Sequence, residues 1–229
     1  MEIDEIKERY ARREKKIITK PYSMSLPYVR QCKYEKTEVI MTMLGKLFDK
    51  PLDELKVLEV GCGTGGNLLN FLTLGLKPEN LSGNDLLENR VRVAKKLLPA
   101  GVHLKCGDAS ELGHEKYDVV YASTVFSSIL DDSLKKKLAA HMWDMLEDKG
   151  TVLFYDFVYN NPNNPDVKGV ELKEIRELFP EGDFAYKRVT LAPPLGRFVL
   201  NKLGSMFLYR ILNSFPFLRT HVVCTIRKN

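Results

Sequence analysis

The fold is decided by the stretch Val57-Leu58-Glu59-Val60-Gly61-Cys62-Gly63-Thr64-Gly65-Gly66-Asn67-Leu68-Leu69. Its apolar start predicts a buried strand, its apolar end predicts a helix, and glycine occupies every second position between them. Glycine tolerates a positive φ and lets a bound group lie directly against the backbone. Gly61, Gly63 and Gly65 therefore predict a tight turn from strand to helix on which a ligand rests.

The spacing of these glycines separates two classes of nucleotide ligand. A dinucleotide site has the pattern G-x-G-x-x-G, with an acidic residue about 20 residues further on. Here the acid precedes the glycines, in the pattern E-x-G-x-G-x-G. This pattern resembles motif I of the class I S-adenosylmethionine (SAM) methyltransferases, whose cofactor carries a sulfonium cation that suits a nearby carboxylate. The resemblance implies that SAM is the cofactor and is held by Glu59, Gly61, Gly63, Gly65 and Asn67.

Two further acids follow predicted strands. Ligands of doubly wound sheets bind at the carboxyl ends of the strands, where the carboxylate of Asp85 can accept both hydroxyls of a ribose. In the methyltransferase family the matching aspartate of the next strand contacts the adenine amine, so the resemblance assigns Asp108 and Ala109 to the adenine. Leu86 and Ser123 complete the predicted cofactor site. Each acid would by itself also suit a turn or a helix cap.

Strands and helices alternate along the chain, which predicts an α/β fold built from parallel crossovers. The resemblance implies a Rossmann-like methyltransferase fold, with a mostly parallel seven-stranded sheet and an antiparallel last strand. The predicted strands are 56–60, 80–85, 102–106, 117–122, 151–157, 184–191 and 221–227, the predicted helices are 3–16, 34–48, 66–74, 88–98, 132–146 and 171–178, and a turn is predicted at 148–150.

Composition indicates a single domain. A chain of 229 residues with 44% hydrophobic content is large enough for one core, and we expect residues 1–229 to form one domain with a helical extension at 1–50. The four cysteines show no metal spacing, which predicts reduced core thiols, no metal site and a cytoplasmic protein. The acidic N-terminus predicts that there is no signal peptide. The absence of an apolar run of about 18 residues predicts that there is no spanning helix.

A long insertion separates the last two predicted strands. Residues 192–218 have an apolar pattern of their own, and residues 184–229 contain eight basic residues and no acidic residue. A long insertion of this kind is typical of a lid or binding element, so we expect a helical cap over the acceptor site. Contact with a membrane surface, peripheral to the inner membrane, is the alternative, and ordinary core packing also explains the apolar side chains.

Later motifs resemble a bacterial subgroup of class I methyltransferases that is often associated with surface-glycan or secondary-metabolite gene clusters. They are Ser123–Asp131, Tyr155–Val170, Thr190–Leu195 and Leu218–His221. The exits of parallel strands and the entry of an antiparallel strand meet at one sheet edge. We therefore expect an acceptor site there; its predicted substrate-binding residues are Tyr155, Tyr159, Asn160 and Phe126, and its predicted catalytic residues are His221, Asp156 and Arg219.

The chemistry of the acceptor determines what these residues do. Methyl transfer from SAM is an in-line displacement, and a hydroxyl acceptor must also lose a proton. His221 suits the role of base, with Asp156 as its orienting partner or as a competing base. An anionic acceptor needs no base, and Arg219 then becomes the anchor. We expect transfer to the oxygen of a small-molecule or glycan-like acceptor.

Three other functions fit parts of the sequence. An RNA methyltransferase would explain the basic C-terminal region, but residues 122–126 lack the Asp/Asn-Pro-Pro-Tyr/Phe motif typical of base-amine methylation. Nucleic acid is therefore not the expected partner. A SAM-binding partner protein without catalysis would keep the same cofactor motifs, so only turnover separates it from an enzyme. The glycine spacing disfavours a nicotinamide dehydrogenase. The oligomeric state is left open by the sequence.

Overall fold

A computed structural model describes residues 2–16, 23–160 and 164–228 of the chain. Within these ranges seven strands form one sheet in the order β3-β2-β1-β4-β5-β7-β6. The strands are β1 (Val57–Val60), β2 (Leu81–Asp85), β3 (His103–Cys106), β4 (Tyr117–Ser123), β5 (Leu146–Phe157), β6 (Asp183–Leu191) and β7 (Arg219–Arg227). The helices are α1 (Glu2–Lys16), α2 (Pro27–Leu47), α3 (Gly66–Thr73), α4 (Glu88–Leu97), α5 (Asp132–Asp144), α6 (Leu172–Leu178), α7 (Pro193–Arg197) and α8 (Met206–Asn213).

The sheet is parallel except at β7. β1 pairs in parallel with both β2 and β4, whereas β7 runs antiparallel to β5 and to β6. All four residues of β1 are buried, as expected for a central strand covered on both faces. These pairings confirm the predicted Rossmann-like fold. They also place the glycine turn after β1 where the chain reverses its direction of winding, the usual ligand site of such sheets.

Apolar side chains fill both faces of the sheet. One cluster packs β4 and β5 against α5 and α6, with Phe126, Met142 and Phe154 fully buried at its centre. The other cluster packs α2 and α3 against the opposite face, around Leu44 and Leu68. The sheet is thus the middle of three layers, and its carboxyl edge remains free to form a site.

Several predicted boundaries shift. α2 begins at Pro27 rather than at residue 34, because proline is well suited to the first helical turn. β5 begins at Leu146, so the turn predicted at 148–150 lies inside the strand as an irregularity at which Lys149 has a φ of +63°. Cys106 is exposed, and the prediction of four core thiols is therefore wrong at this position, although all four thiols are free.

The insertion at residues 192–218 is helical. It comprises α7, a π-helical turn at Phe198–Lys202 and α8. Its inner side buries Val199, Leu200 and Tyr209 against Tyr28 of α2. The hydroxyl of Tyr28 donates a 2.7 Å hydrogen bond to the carbonyl oxygen of Leu191, so α2 is fastened to the end of β6 as well. Across the described ranges, the helices are too short or too polar to span a bilayer.

Two glycines of the turn provide a matched test of the backbone geometry. Gly63 has a φ of +55°, and a Cβ there would have no described atom within 4 Å apart from its chain neighbours. Gly65 has a φ of +84°, and a Cβ there would approach Leu98 Cδ1 to 2.7 Å. We expect Gly63→Ala to lower the free energy of unfolding by about 1–2 kcal/mol through backbone strain. Gly65→Ala should cost about 1–3 kcal/mol more through overpacking. Urea unfolding without ligand measures both losses, and equal losses would contradict this geometry.

Candidate active site

The turn between β1 and α3 has the conformation that its sequence requires. Gly61, Gly63 and Gly65 have φ values of +66°, +55° and +84°. The N–H of Gly63 donates a 2.8 Å hydrogen bond to Oδ2 of Asp85, and the N–H of Gly65 donates a 2.9 Å bond to the carbonyl of Cys62. The turn is therefore held both internally and by the next strand.

A cavity of about 890 Å³ opens above this turn. Its volume lies near the upper end of the range for small-molecule sites, about 300–1,000 Å³, which leaves room for a cofactor and part of an acceptor. The residues predicted from sequence that line it are Glu59, Gly61, Gly63, Asn67, Asp85, Leu86, Asp108, Ala109, Ser123 and Tyr155. Gly65 does not line the cavity, but its positive φ helps to form the turn.

The two acids proposed to bind ribose and adenine also stabilise turns. Asp85 accepts backbone N–H bonds from Gly63 at 2.8 Å and Leu87 at 2.9 Å. Asp108 accepts bonds from the N–H and the hydroxyl of Ser110, both at 2.9 Å. A carboxylate has about four acceptor positions, so each retains capacity toward the cavity. The observed turn role of each carboxylate is therefore compatible with the ligand role predicted from the sequence.

Glu59 is the most deeply buried acid of the site. One carboxylate oxygen accepts a 2.6 Å hydrogen bond from Asn67, while Oε2 is buried without a hydrogen bond from any described residue. Burial raises the pKa of Glu59 to about 7, opposed by the Asn67 bond and by the charge of Lys36. A buried oxygen of this kind favours a cationic donor, which would satisfy the oxygen and restore its charge.

Lys36 of α2 was not predicted from the sequence. Its ammonium donates a 2.8 Å hydrogen bond to Asn67 Oδ1 and lies 4.8 Å from the centre of the Tyr155 ring. Burial lowers its pKa to about 8, although the neighbouring charge of Glu59 opposes the shift. The chain Glu59–Asn67–Lys36 thus presents a carboxylate and an ammonium to the same part of the cavity.

Helix α1 closes the cavity from the other side and was likewise not assigned to the site from sequence. Ile3, Ile6 and Tyr10 line the cavity. Arg9 donates a 3.1 Å hydrogen bond to the carbonyl of Ser128, and the Tyr10 hydroxyl lies 3.0 Å from the Ser128 hydroxyl. The described part of the N-terminal extension therefore docks on the loop after β4.

The edge at which the sequence predicts an acceptor site lies where β4 and β5 end. Thr124 lines the cavity with a φ of +55°, a strained value for a β-branched residue, and its N–H donates a 2.7 Å bond to the carbonyl of Tyr155. The ring of His221 stacks on the ring of Tyr155, with ring centres 5.2 Å apart. Tyr155 lines the cavity, whereas His221 does not. Burial, with a smaller effect of the Lys36 charge, lowers the pKa of His221 to about 4. Its Nδ1 is 3.0 Å from the Thr220 hydroxyl.

Asp156 and Phe126 lie beneath the cavity rather than in its lining. The Asp156 carboxylate is buried and accepts backbone N–H bonds from Ser127 at 3.0 Å and Phe157 at 2.9 Å. Burial raises its pKa to about 7 against these bonds. The Phe126 ring packs against Phe154 in the core, with ring centres 5.1 Å apart. Both residues support the loop that carries Thr124.

The remaining predicted acceptor residues are Arg219 at the start of β7 and Tyr159 and Asn160 in the loop after β5. Arg219 donates to the backbone carbonyls of Asn213 at 2.7 Å and Arg188 at 3.1 Å, which joins α8 to the sheet. The Tyr159 hydroxyl accepts a 2.7 Å bond from Arg188. Asn160 accepts from the N–H of Gly169 at 2.8 Å. None of the three lines the described cavity, and residues 161–163 of the Asn-Pro loop lie outside the described residues.

The central region of the chain is similar to known proteins. A family model described as "Methyltransferase domain" matches residues 57–150. An uncharacterized protein of Rickettsia prowazekii is 34% identical over 93 residues, which are 37% of each chain. A malonyl-[acyl-carrier protein] O-methyltransferase of Priestia megaterium is 32% identical over 108 residues, 45% of this chain and 37% of the relative. The match thus spans little more than a third of these relatives.

Solved structures extend the likeness over most of the chain. Magnesium protoporphyrin IX methyltransferase from Synechocystis PCC 6803 with bound S-adenosylhomocysteine (SAH) has a TM-score of 0.58 at 16% identity, over 84% of this chain and 82% of that one. A plantazolicin methyltransferase in complex with a substrate analog and SAH has a TM-score of 0.57 at 18% identity, over 99% and 90%. The chain has the fold of SAM-dependent methyltransferases.

Asp156 provides a pH-dependent test of the buried loop support. Its folded pKa of about 7 exceeds the ordinary value of 3.8, so its contribution to stability is present below about pH 4 and is lost as the pH rises to 7. We therefore compare the free energies of unfolding of the wild type and of Asp156→Asn. The value for the wild type minus the value for the variant should fall by roughly 2–4 kcal/mol between pH 4 and pH 7. Urea unfolding across this range measures it, with exposed Asp148→Asn as a single-charge control. A constant difference would contradict the pKa assignment.

Proposed function

We propose that this chain is a SAM-dependent methyltransferase that methylates the oxygen of a small-molecule or glycan-like acceptor. The observation that carries the proposal is the buried oxygen of Glu59 beside the glycine turn, which has no hydrogen-bond partner among the described residues. A cationic amino acid moiety fits this oxygen, whereas a pyrophosphate would bring negative charge to a buried carboxylate. The methyltransferase domain match over residues 57–150 supports the same cofactor.

The described residues can be assigned to the parts of SAM. Glu59 would accept from the methionyl ammonium, and Lys36 would pair with the methionyl carboxylate. Asp85 would accept from the ribose hydroxyls, and Asp108 with Ala109 would contact the adenine. When bound, the cofactor supplies a methyl group on a sulfonium for in-line displacement. The chain itself orients the two partners and excludes water with Tyr10, Ile3 and the strained loop after β4.

The acceptor would approach from the side of Tyr155. His221 is the proposed proton acceptor for a hydroxyl, since burial keeps its ring neutral above about pH 4. Asp156, with its raised pKa, is the second proposed base, and Arg219 is the proposed anchor of an anionic acceptor. Tyr159, Asn160 and the insertion at 192–218 would border the acceptor as it enters.

Two of the compared proteins support this acceptor class. The relative from Priestia megaterium is named a malonyl-[acyl-carrier protein] O-methyltransferase, which supports transfer to oxygen. The plantazolicin methyltransferase was solved with a triazolic desmethylPZN analog, which supports a small-molecule acceptor. The proposed cytoplasmic location fits the four free thiols. Membership of the subgroup associated with glycan or secondary-metabolite clusters rests on the motifs at 123–131, 155–170, 190–195 and 218–221.

Lys36 offers a direct test of the cofactor assignment. Lys36→Met keeps the aliphatic length but removes the ammonium, so we expect SAM to bind about tenfold more weakly or worse, as for loss of a charge-assisted bond. Isothermal titration measures the dissociation constant. Lys46→Met, at the exposed end of the same helix, is the matched control and should leave the constant unchanged. An unchanged affinity in Lys36→Met would remove Lys36 from the cofactor site.

The acceptor chemistry is tested by turnover. A screen of hydroxyl and carboxylate acceptors for SAH release identifies an active one. With a hydroxyl acceptor, we expect His221→Ala to lower kcat by about 10²–10⁴ at neutral pH while the dissociation constant for SAM is unchanged. The wild-type rate should rise with pH through about 4 and then level off, following the lowered pKa of His221.

An anionic acceptor reverses the expected pattern. His221→Ala should then have a small effect, and Arg219→Ala should lower kcat/KM by about 10²-fold or more because the anion loses its partner. Near-wild-type kinetics in both variants would contradict both roles. SAM binding without SAH release for any acceptor would favour the non-catalytic partner protein instead.

A further inference from the structure

The outer side of the insertion exposes large apolar side chains. Phe207 and Phe217 are 76% and 70% exposed. Together with the other exposed apolar residues of the insertion they form what we call the cap face. Its members are Leu195, Phe198, Leu203, Met206, Phe207, Ile211, Phe215 and Phe217. Clusters of this kind on a folded protein mark contact surfaces, whereas isolated exposed apolar residues are normal.

The helical geometry of the insertion determines which of its side chains are exposed. α8 buries Tyr209 and packs Leu208 and Leu212 inward, which leaves Met206, Phe207 and Ile211 outward at helical spacing. The π-helical turn buries Val199 and Leu200 in the same cluster and exposes Phe198 on its other side. Both segments thus bury one side in the same cluster and expose apolar side chains on the other.

Basic residues accompany the cap face. Arg197 at the end of α7, Lys202 in the π-helical turn and Arg210 in α8 are exposed, and the sequence from residue 184 to 229 contains no acid. A surface that combines exposed apolar and aromatic side chains with arginine and lysine is typical of helices that lie in a membrane interface. The apolar groups enter the boundary of the acyl chains while the cations remain among the head groups.

We propose that the cap face binds the surface of a bilayer that contains anionic lipid. A second copy of the chain fits less well, because a symmetric contact would bring the same cations together. RNA also attracts cations and aromatic rings, but the aliphatic members Leu195, Leu203, Met206 and Ile211 offer it neither stacking nor hydrogen bonds. The charge and the aliphatic content together favour lipid.

The cap face lies one helix away from the cavity. Cys32 of α2 packs against the insertion and also lines the cavity, and Met24 and Val29 of the same segment line it too. Bilayer binding would therefore place the acceptor side close to the membrane without using a residue assigned to SAM. The inference goes beyond methyl transfer, and its failure would leave the cofactor proposal intact.

Vesicle flotation of the whole chain tests the proposal. We expect binding to vesicles of phosphatidylcholine with about 30% phosphatidylglycerol at low salt, and much weaker binding to pure phosphatidylcholine or at high salt. The variant Phe207→Ser/Phe217→Ser and the variant Arg197→Gln/Lys202→Gln/Arg210→Gln should each weaken binding about tenfold or more. Titration with SAM confirms that each variant is folded.

Matched controls lie outside the insertion. Leu97→Ser removes an exposed apolar side chain of α4, and Lys136→Gln/Lys137→Gln removes two exposed cations of α5. Both should bind vesicles like the wild type. The proposal is overturned by absence of vesicle binding at low salt, or by equal losses in cap and control variants. It is also overturned if Phe207→Ser/Phe217→Ser instead abolishes a concentration-dependent dimer, or binding to a single-stranded RNA, while vesicle binding is unchanged.

Discussion

The candidate site depends on one buried carboxylate, that of Glu59. It stands in the central strand β1, with one oxygen bonded to Asn67 and the other without a partner among the described residues. A buried acceptor is costly unless it is paired, so the surrounding structure must either supply a donor or leave room for one. The glycine turn provides that room, and Lys36 and Asn67 fix the orientation of the carboxylate.

The sequence predicts the geometry of the glycine turn and of the acids at the strand ends because these signals are local. Positive φ at Gly61, Gly63 and Gly65 follows from the spacing of the glycines, and Asp85 and Asp108 occur at strand ends that periodicity reveals. The fold follows from the same alternation of strands and helices. The exception is β5, which continues through Lys149 although the sequence there resembles a turn.

The rest of the site depends on contacts between distant parts of the chain. Lys36 reaches Asn67 across 31 positions, and Tyr10 meets Ser128 across 118 positions. No local pattern reveals such pairs. His221 illustrates the same point, because its sequence position at the start of β7 suits the sheet edge while its stacking behind Tyr155 and its lowered pKa arise from packing. The apolar pattern of the insertion likewise allows several interpretations, and only its packing distinguishes the buried side with Tyr209 from the exposed side with Phe207.

Isothermal titration of the wild-type chain with SAM and, separately, with NAD tests directly whether the cavity above the glycine turn binds SAM. We expect one SAM per chain with a dissociation constant of about 1–100 μM, a free energy of roughly 5–8 kcal/mol, and no measurable heat with NAD. Binding of NAD in place of SAM, or no binding of SAM by the folded chain, would contradict the assignment of the cavity to SAM.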